Sequence, residues 1–435
     1  ASMQNGSFAF APAYVLPKDS LPWPVLNQLQ GEMVLDRDVL QVKINRGLVG
    51  GTGLQIGKAE AQVTRLYDAS QVNVTAEAKG PLPDLLTVVN TSPLGPLMDK
   101  ALAQTTATGV ADYKLKLGFP VSDVNKATVQ GSIVLSGNDL QIIPDTPKFS
   151  RARGTINFTE SGFSLAGAQA RALGGDIKVE GGLSFVAAPA TAPAARTAPN
   201  QLRFSGTATA EGLRQSRELG AAGRLAQFAT GSAPYTASLG FRSGVAELQV
   251  NSTLAGMGLS LPAPLGKTAD TPLPVRFESA LIRPLAGVQP NARLRDRLQL
   301  DVGKLASFTF VRDLSGVEPR VQSGAIGVGL AADESAPLPD EGVVANMNIP
   351  RLDADAWSTV LDKLSMDVPA NPGAKPAGNG GLATSGYMPT VLVLRAKELL
   401  VSGRQINNVV VGGGREGPLW RANLDATELS GYMEY

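Results

Sequence analysis

The sequence predicts a mainly β protein, an antiparallel sheet built of repeated β-meander units with a few short helices, and three observations carry that prediction. Apolar and polar residues alternate with period 2 in stretch after stretch, which is the signature of strands with one wet face. The pattern Thr-Gly-x-Ala-x-Tyr-x-x-x-Leu-Gly-Phe occurs twice, at 108–119 and again at 230–241; self-similarity at a long period points to an array of structural units. Glycine is plentiful at 48 residues while aromatic residues make up only 5%. That balance suits turns and small side chains in a broad sheet, and it does not suit a membrane barrel with its aromatic girdles.

Taken in order, residues 1–30, with Pro12, Pro17, Pro22 and Pro24, read as an irregular opening segment. Alternation begins at Leu40, Val42 and Ile44, with Gln41, Lys43 and Asn45 facing the other way, and continues through Leu54, Ile56, Ala59, Ala61, Val63, Val72 and Val74. Pro83 to Gln104 breaks the pattern with helical spacing: Ser92 is a candidate N-cap, Pro93 stands where a missing N–H is tolerated, and Leu94, Leu97, Met98, Ala101 and Leu102 form a stripe. Strand patterns resume with Tyr113, Leu115 and Leu117 against Asp112, Lys114 and Lys116, then Ile133, Leu135, Ile156, Phe158, Phe163, Leu165, Ile177, Val179, Leu183 and Phe185. The Pro/Ala-rich stretch 187–199 reads as a linker or loop insertion. Leu202 and Phe204 return to the sheet, Leu213 to Ala229 predicts a second helix weakened by Gly220 and Gly223, and the second copy of the repeat follows. Arg293, Arg295 and Arg297 alternate as a solvated strand edge would. Asp353 is the candidate N-cap of a third helix that places Trp357, Val360, Leu361 and Leu364 on one face. Residues 369–386 read as flexible linker, and short strands finish the chain. The repeat suggests units at 1–107, 108–229, 230–368 and 369–435.

Composition excludes much chemistry. The chain has no cysteine and no histidine, which removes thiolate and imidazole catalysis, the Ser-His-Asp triad, disulfides and the usual zinc ligands. Asp353 and Asp355 are accounted for by capping and the helix dipole, and Asp333 and Glu334 by a solvated loop. The glycine clusters at 50–51, 174–175 and 412–414 lack a phosphate-loop context and read as turns. No enzyme activity, metal or cofactor is expected. A net charge of +1 provides no field for nucleic acid. Nowhere do about 18 apolar residues run together, so no membrane span is expected. Both ends of the sequence lie in strand-like patterns, as in a piece of a longer protein. The apolar face remains: by pattern alone it is either covered by its own sheet or open as a groove.

Several stretches resemble the YhdP branch of the AsmA-like envelope proteins: 81–95, PLPDLLTVVNTSPLG; 254–275, LAGMGLSLPAPLGKTADTPLPV; 349–364, IPRLDADAWSTVLDKL; and 394–435, with Gly403, Arg404 and Trp420. The resemblance implies an extended, curved sheet forming a hydrophobic groove, in a periplasmic bridge anchored to the inner membrane by a segment outside this chain. It further implies phospholipid acyl chains as the ligand, moved between inner and outer membranes. On that reading the apolar rungs Leu40, Val42, Ile44, Val72, Val74, Tyr113, Leu115, Leu117, Ile133, Leu135, Ile156, Phe158, Leu202, Phe204, Leu239 and Phe241 are the candidate lipid contacts. The competing expectation is a self-covered β-array of a surface or secreted protein, such as an adhesin, whose function lies in its loops. A carbohydrate-active array would need clustered acids and aromatic platforms, which thinly spread aromatics do not supply.

Overall fold

The computed structural model describes residues 1–9, 21–97, 102–122, 126–144, 146–184, 201–242, 245–282, 294–316, 319–331, 334, 336–366, 386–417 and 419–434. The expected linkers at 187–199 and 369–386 lie outside them, except for Gly386. The fold is mainly β, and the chain divides into two units, Ala1–Gly206 and Thr207–Tyr435.

The first unit begins with a correction. The proline-rich start does not make the whole opening irregular, because β1 (Ser2–Phe8) pairs antiparallel with β2 (Leu26–Asp36) on either side of it. From there neighbours in sequence are neighbours in the sheet: β3 (Val39–Val49), β4 (Gln55–Thr64) and β5 (Gln71–Pro81). The helices α1 (Leu82–Thr91) and α2 (Leu94–Leu97) and the short β6 (Thr106–Ala107) interrupt the meander, yet β5 still pairs directly with β7 (Val110–Pro120). The sheet continues through β8 (Thr128–Gln141), β9 (Phe149–Thr159), β10 (Gly162–Ala172), β11 (Gly175–Ser184) and β12 (Gln201–Thr209). The first helix starts earlier than its proline spacing suggested, with Pro81 at its N-cap. Ser92 ends α1, and its Oγ accepts from the Leu94 amide at 3.3 Å, so it caps α2 instead.

In the second unit the expected long helix is broken into α3 (Ala210–Gln215), a 3₁₀ turn at Arg217–Leu219, α4 (Ala221–Leu225) and another 3₁₀ turn at Ala226–Phe228. Gly220 sits between the pieces at φ +53°, a left-handed conformation that ends a helix. The sheet runs β13 (Ala229–Arg242), β14 (Val245–Ser252), β16 (Val275–Leu281), β17 (Arg295–Val302), β18 (Ala306–Asp313) and β19 (Arg320–Val328), all antiparallel, with β15 (Met257–Leu259) pairing to the start of β13. Then β20 (Gly342–Asp353) lies parallel to both β19 and β21 (Val391–Val401), which makes this sheet mixed. Parallel neighbours need a long crossover, and the second is supplied by α5 (Ala354–Met366) and the residues after it. β22 (Arg404–Glu416), β23 (Leu419–Asp425) and β24 (Ser430–Glu434) close the meander.

Three local expectations change. β17 is paired on both sides, so Arg295 and Arg297 mark a wet face and not an edge, while Arg293 lies outside the described residues. Gly412–Gly414 lies inside β22, where Gly413 faces Ala422. Glu334 is not merely solvated, because Arg395 pairs with it at 3.0 Å and the Ala331 amide holds its carboxyl below the usual range.

In each unit the helices join the same end of the strands. α1 and α2 follow the end of β5 at which β7 begins. α3 and α4 lead into the start of β13, and α5 follows the end of β20. α5 is fastened at that end by four hydrogen bonds. The Asp353 carboxylate caps it through the Ala356 amide at 2.9 Å; Trp357 Nε1 donates to the Ala263 carbonyl at 3.0 Å; and Asp355 accepts from the Ser402 and Gly403 amides at 2.7 and 2.8 Å. Val360 is buried, whereas Leu361, expected on the same face, is 54% exposed.

Candidate functional site

Directly opposed residues of paired strands point to the same face of a sheet, so the register decides whether the apolar rungs converge. In the first unit they do. One file runs Met33, Val42, Ala61, Val74, Leu117, Val129 from β2 to β8. The next runs Ile44, Ala59, Ala76, Leu115, Gly131, Phe158, Phe163, Leu183 from β3 to β11. A third runs Ala78, Tyr113, Ile133, Ile156, Leu165, Gly181, Leu202 from β5 to β12. Leu40 pairs with Val63, which pairs with Val72, and Phe204 joins through Val179. Every first-unit candidate except Leu135 is thus tied in by these files, and Leu135 stands opposite Ala111, two residues from Tyr113 on β7. No charged residue interrupts the files.

The other face is its opposite in chemistry. Lys58, Glu77, Lys114, Ser132, Asn157 and Ser164 form a polar file, with ion pairs Lys114–Glu77 at 3.2 Å and Lys79–Asp112 at 3.3 Å.

Exposure along β7 is graded: Ala111 is 1% exposed, Tyr113 9% and Leu115 36%, while Leu117 and Phe119 are half-buried. The buried end is the one joined to α1 and α2, and at the far end Met33, Leu35 and Val121 are about half exposed or more at 45, 58 and 53%. Phe149 and Phe204 stack with ring centroids 5.6 Å apart, although β10 and β11 lie between their strands. Strands about 4.8 Å apart allow such a contact only if the sheet curls, so the apolar face is concave there. The floor is kept low by glycine: the Phe158 ring lies where a Cβ on Gly131 would be, with its Cζ 2.2 Å from that position.

Within the candidate set, Leu40, Val42, Val72, Val74, Leu115, Leu117, Ile133, Ile156, Phe158 and Phe241 are half-buried or exposed. Ile44, Tyr113, Leu135, Leu202, Phe204 and Leu239 are covered by other side chains and build the wall. In the second unit Leu239 pairs with Leu248 and Phe241 with Ala246. A further file there, Val250, Phe277, Leu300, Phe308, Ile326, Ala345, Leu392, Gly413, Ala422, Met433, crosses from β14 to β24. Sequence reading named strands for many of these residues but nominated none past Phe241 as ligand contacts. Their alternation held the signal.

The two Tyr-containing repeats occupy matching places. Gly109 and Gly231 both take left-handed backbone at φ +81° and +79°, and Ala111 and Ala233 are both buried. Tyr113 and Tyr235 have phenols pushed up to about 12 by burial, helped at Tyr113 by the carboxylates of Asp84 and Asp112. Tyr113 donates to the Gly80 carbonyl at 3.1 Å.

Geometry defines the class first: a curved sheet with one apolar face, concave where Phe149 meets Phe204, with helices joined at one strand end. The family model described as YhdP protein matches residues 1–435, and the chain belongs to that family. No curated protein and no solved structure matches the chain. No helix among the described residues is long and apolar enough to cross a membrane.

Proposed function

We propose that this chain is a segment of a periplasmic bridge, part of an inner-membrane-anchored envelope protein, that holds phospholipid acyl chains against its apolar face and conducts them between the inner and outer membranes. One observation carries the reading: in the first unit the files pass in register from strand to strand without a charged side chain, and much of that surface remains half-exposed. A self-covered array, the adhesin alternative, would bury those rungs under a second layer. Burying apolar area at about 25 cal/mol per Å² makes such a face a strong binder of acyl chains with no directional contact, so the ligand can slide. The site is distributed and assigns no residue to catalysis. Mass spectrometry of gently extracted protein tests the reading. Co-purified phospholipid at roughly one molecule or more per chain is expected, and lipid-free protein with an intact fold would contradict it.

A further inference from the structure

The apolar face of the second unit carries a charged pair. Asp296 stands opposite Arg312 in the file Leu281, Asp296, Arg312, Val321, next to the rungs Leu298 and Phe310. Asp296 is 3% exposed, and its carboxylate takes both Nε, at 3.0 Å, and Nη2 of the guanidinium. Tyr387 accepts from Nη1 at 3.4 Å while its ring meets Phe310 edge-on at 4.9 Å. Burying two charges costs several kcal/mol per ion, and apolar residues of similar volume are often at least as stable, so stability alone does not call for the pair. A guanidinium has five N–H donors; among the described residues three are engaged here, leaving one on each terminal nitrogen. The Arg312 side chain is 20% exposed against 4% for Asp296, so what the pair shows to solvent belongs mostly to the arginine. The pair sits at the strand end that carries the β13–β14 turn, away from the end fastened by α5.

We propose that Arg312, held in orientation by Asp296 and Tyr387, binds the phosphate of an amphiphile whose chain lies on Leu298, Phe310 and the rungs beyond. Arginine takes phosphate through paired N–H donors, and the pair lies at the strand end opposite the one fastened by α5, where a polar head would sit. The proposal rests on the acyl-chain reading of the face and adds to it a fixed position for the head.

The test measures binding of a phospholipid and of the diacylglycerol with the same chains to the intact chain, to the paired variant D296L/R312M, and to R312K, with thermal unfolding as the control for folding. The paired variant removes both charges together and leaves no buried ion alone. Native protein is expected to prefer the phospholipid by about tenfold. The paired variant should lose that preference while keeping its affinity for diacylglycerol, and R312K, which keeps the charge but not the fork, should fall between. Equal binding of both lipids by native protein overturns the headgroup site and leaves the acyl-chain reading standing. A preference that survives in the folded paired variant does the same. Inorganic phosphate alone is the third probe. If it binds the native chain but not the paired variant and competes fully with phospholipid, the site takes free phosphate. If neither lipid nor phosphate binds native protein, both readings fall.

Discussion

The two copies of the Thr-Gly-x-Ala-x-Tyr pattern open alike and are fastened differently. Each has a left-handed glycine and a buried alanine, carries a tyrosine that is buried in the first copy and half-buried in the second, and pairs the residues around its start with a later strand, β6 with β8 and the start of β13 with β15. A second glycine, Gly137 at φ +123° or Gly256 at φ +90°, then bends the returning strand. In the first copy the buried Asn138 follows that bend and donates to the Thr108 and Val110 carbonyls at 3.0 and 3.1 Å. In the second copy Met257 stands at the corresponding place and offers no donor. There Lys267, arriving from the proline-rich loop, donates to the Leu254 carbonyl at 2.9 Å and to the Met257 carbonyl, and burial pulls its amine below the usual lysine range. The two side chains tie different carbonyls: Asn138 reaches 30 and 28 positions back to the opening strand of the first copy, whereas Lys267 reaches 13 and 10 positions back to the returning turn of the second. The repeat shares its backbone turns and differs in the side chain that fastens them.

The largest effect should come from one substitution made in both copies. Leu117 and Leu239 are the same letter of the pattern, but Leu117 is half-buried and Leu239 is 2% exposed. Leu239→Asp buries a charge without a partner and should cost at least about 3 kcal/mol, read as a collapse of the thermal transition. L115D/L117D should leave the fold intact, because a half-open face lets water reach the carboxylates. It should slow lipid passage instead: each strand spacing supports roughly four methylenes at about 0.8 kcal/mol apiece, so breaking one rung costs about 3 kcal/mol, or about a hundredfold in rate. Unfolding of L115D/L117D would place the first-unit face inside a closed sandwich.

Next in size is the fastening itself. Asn138→Met removes the buried donor for two carbonyls and should cost about 1–3 kcal/mol in chemical denaturation. Lys267→Met should cost about 1 kcal/mol or less, since the Lys267 side chain is half-buried where Asn138 is 2% exposed. Equal costs would mean that the two turns are not built on different donors.

Smaller still are the pH effects. Tyr113 and Tyr235 titrate higher in the folded protein than in the unfolded chain, so their contribution is whole below about pH 10, the unfolded value, and is lost as pH rises toward the folded value of about 12. Y113F/Y235F should flatten that alkaline limb. Asp355 has the opposite sign, because the Gly403 and Ser402 amides lower its pKa. Its contribution is present above the unfolded value of about 3.9 and fades as pH falls through the folded one. D355N should remove part of the acid limb and change nothing near neutrality beyond a fixed offset.

Much of this was legible in the sequence. Alternation found the strands around Leu40–Ile44, Val72–Val74 and Tyr113–Leu117, and the repeat found the equivalence of Tyr113 with Tyr235. Period 2 reports which residues share a face and says nothing about which strands are neighbours. The parallel placement of β20 therefore stayed hidden, and so did the union of the rungs into files. The proline count of the opening hid β1 and the start of β2, since proline punctuates a chain without forbidding strands on either side of it. The helices are few and short, and they join strand ends, a placement that only topology reveals. Asp355 was readable as a first-turn acid, but its grip on the Ser402–Gly403 turn joins residues far apart in sequence.

The central claim is that acyl chains lie on one face of the first-unit sheet. A photo-cross-linking amino acid placed singly at Leu115 and at Lys114, adjacent residues on opposite faces of β7, tests it most directly in protein carrying phospholipid. Capture of lipid at Leu115 and not at Lys114 is the result this account predicts; equal capture at both positions, or capture at Lys114 alone, would contradict it.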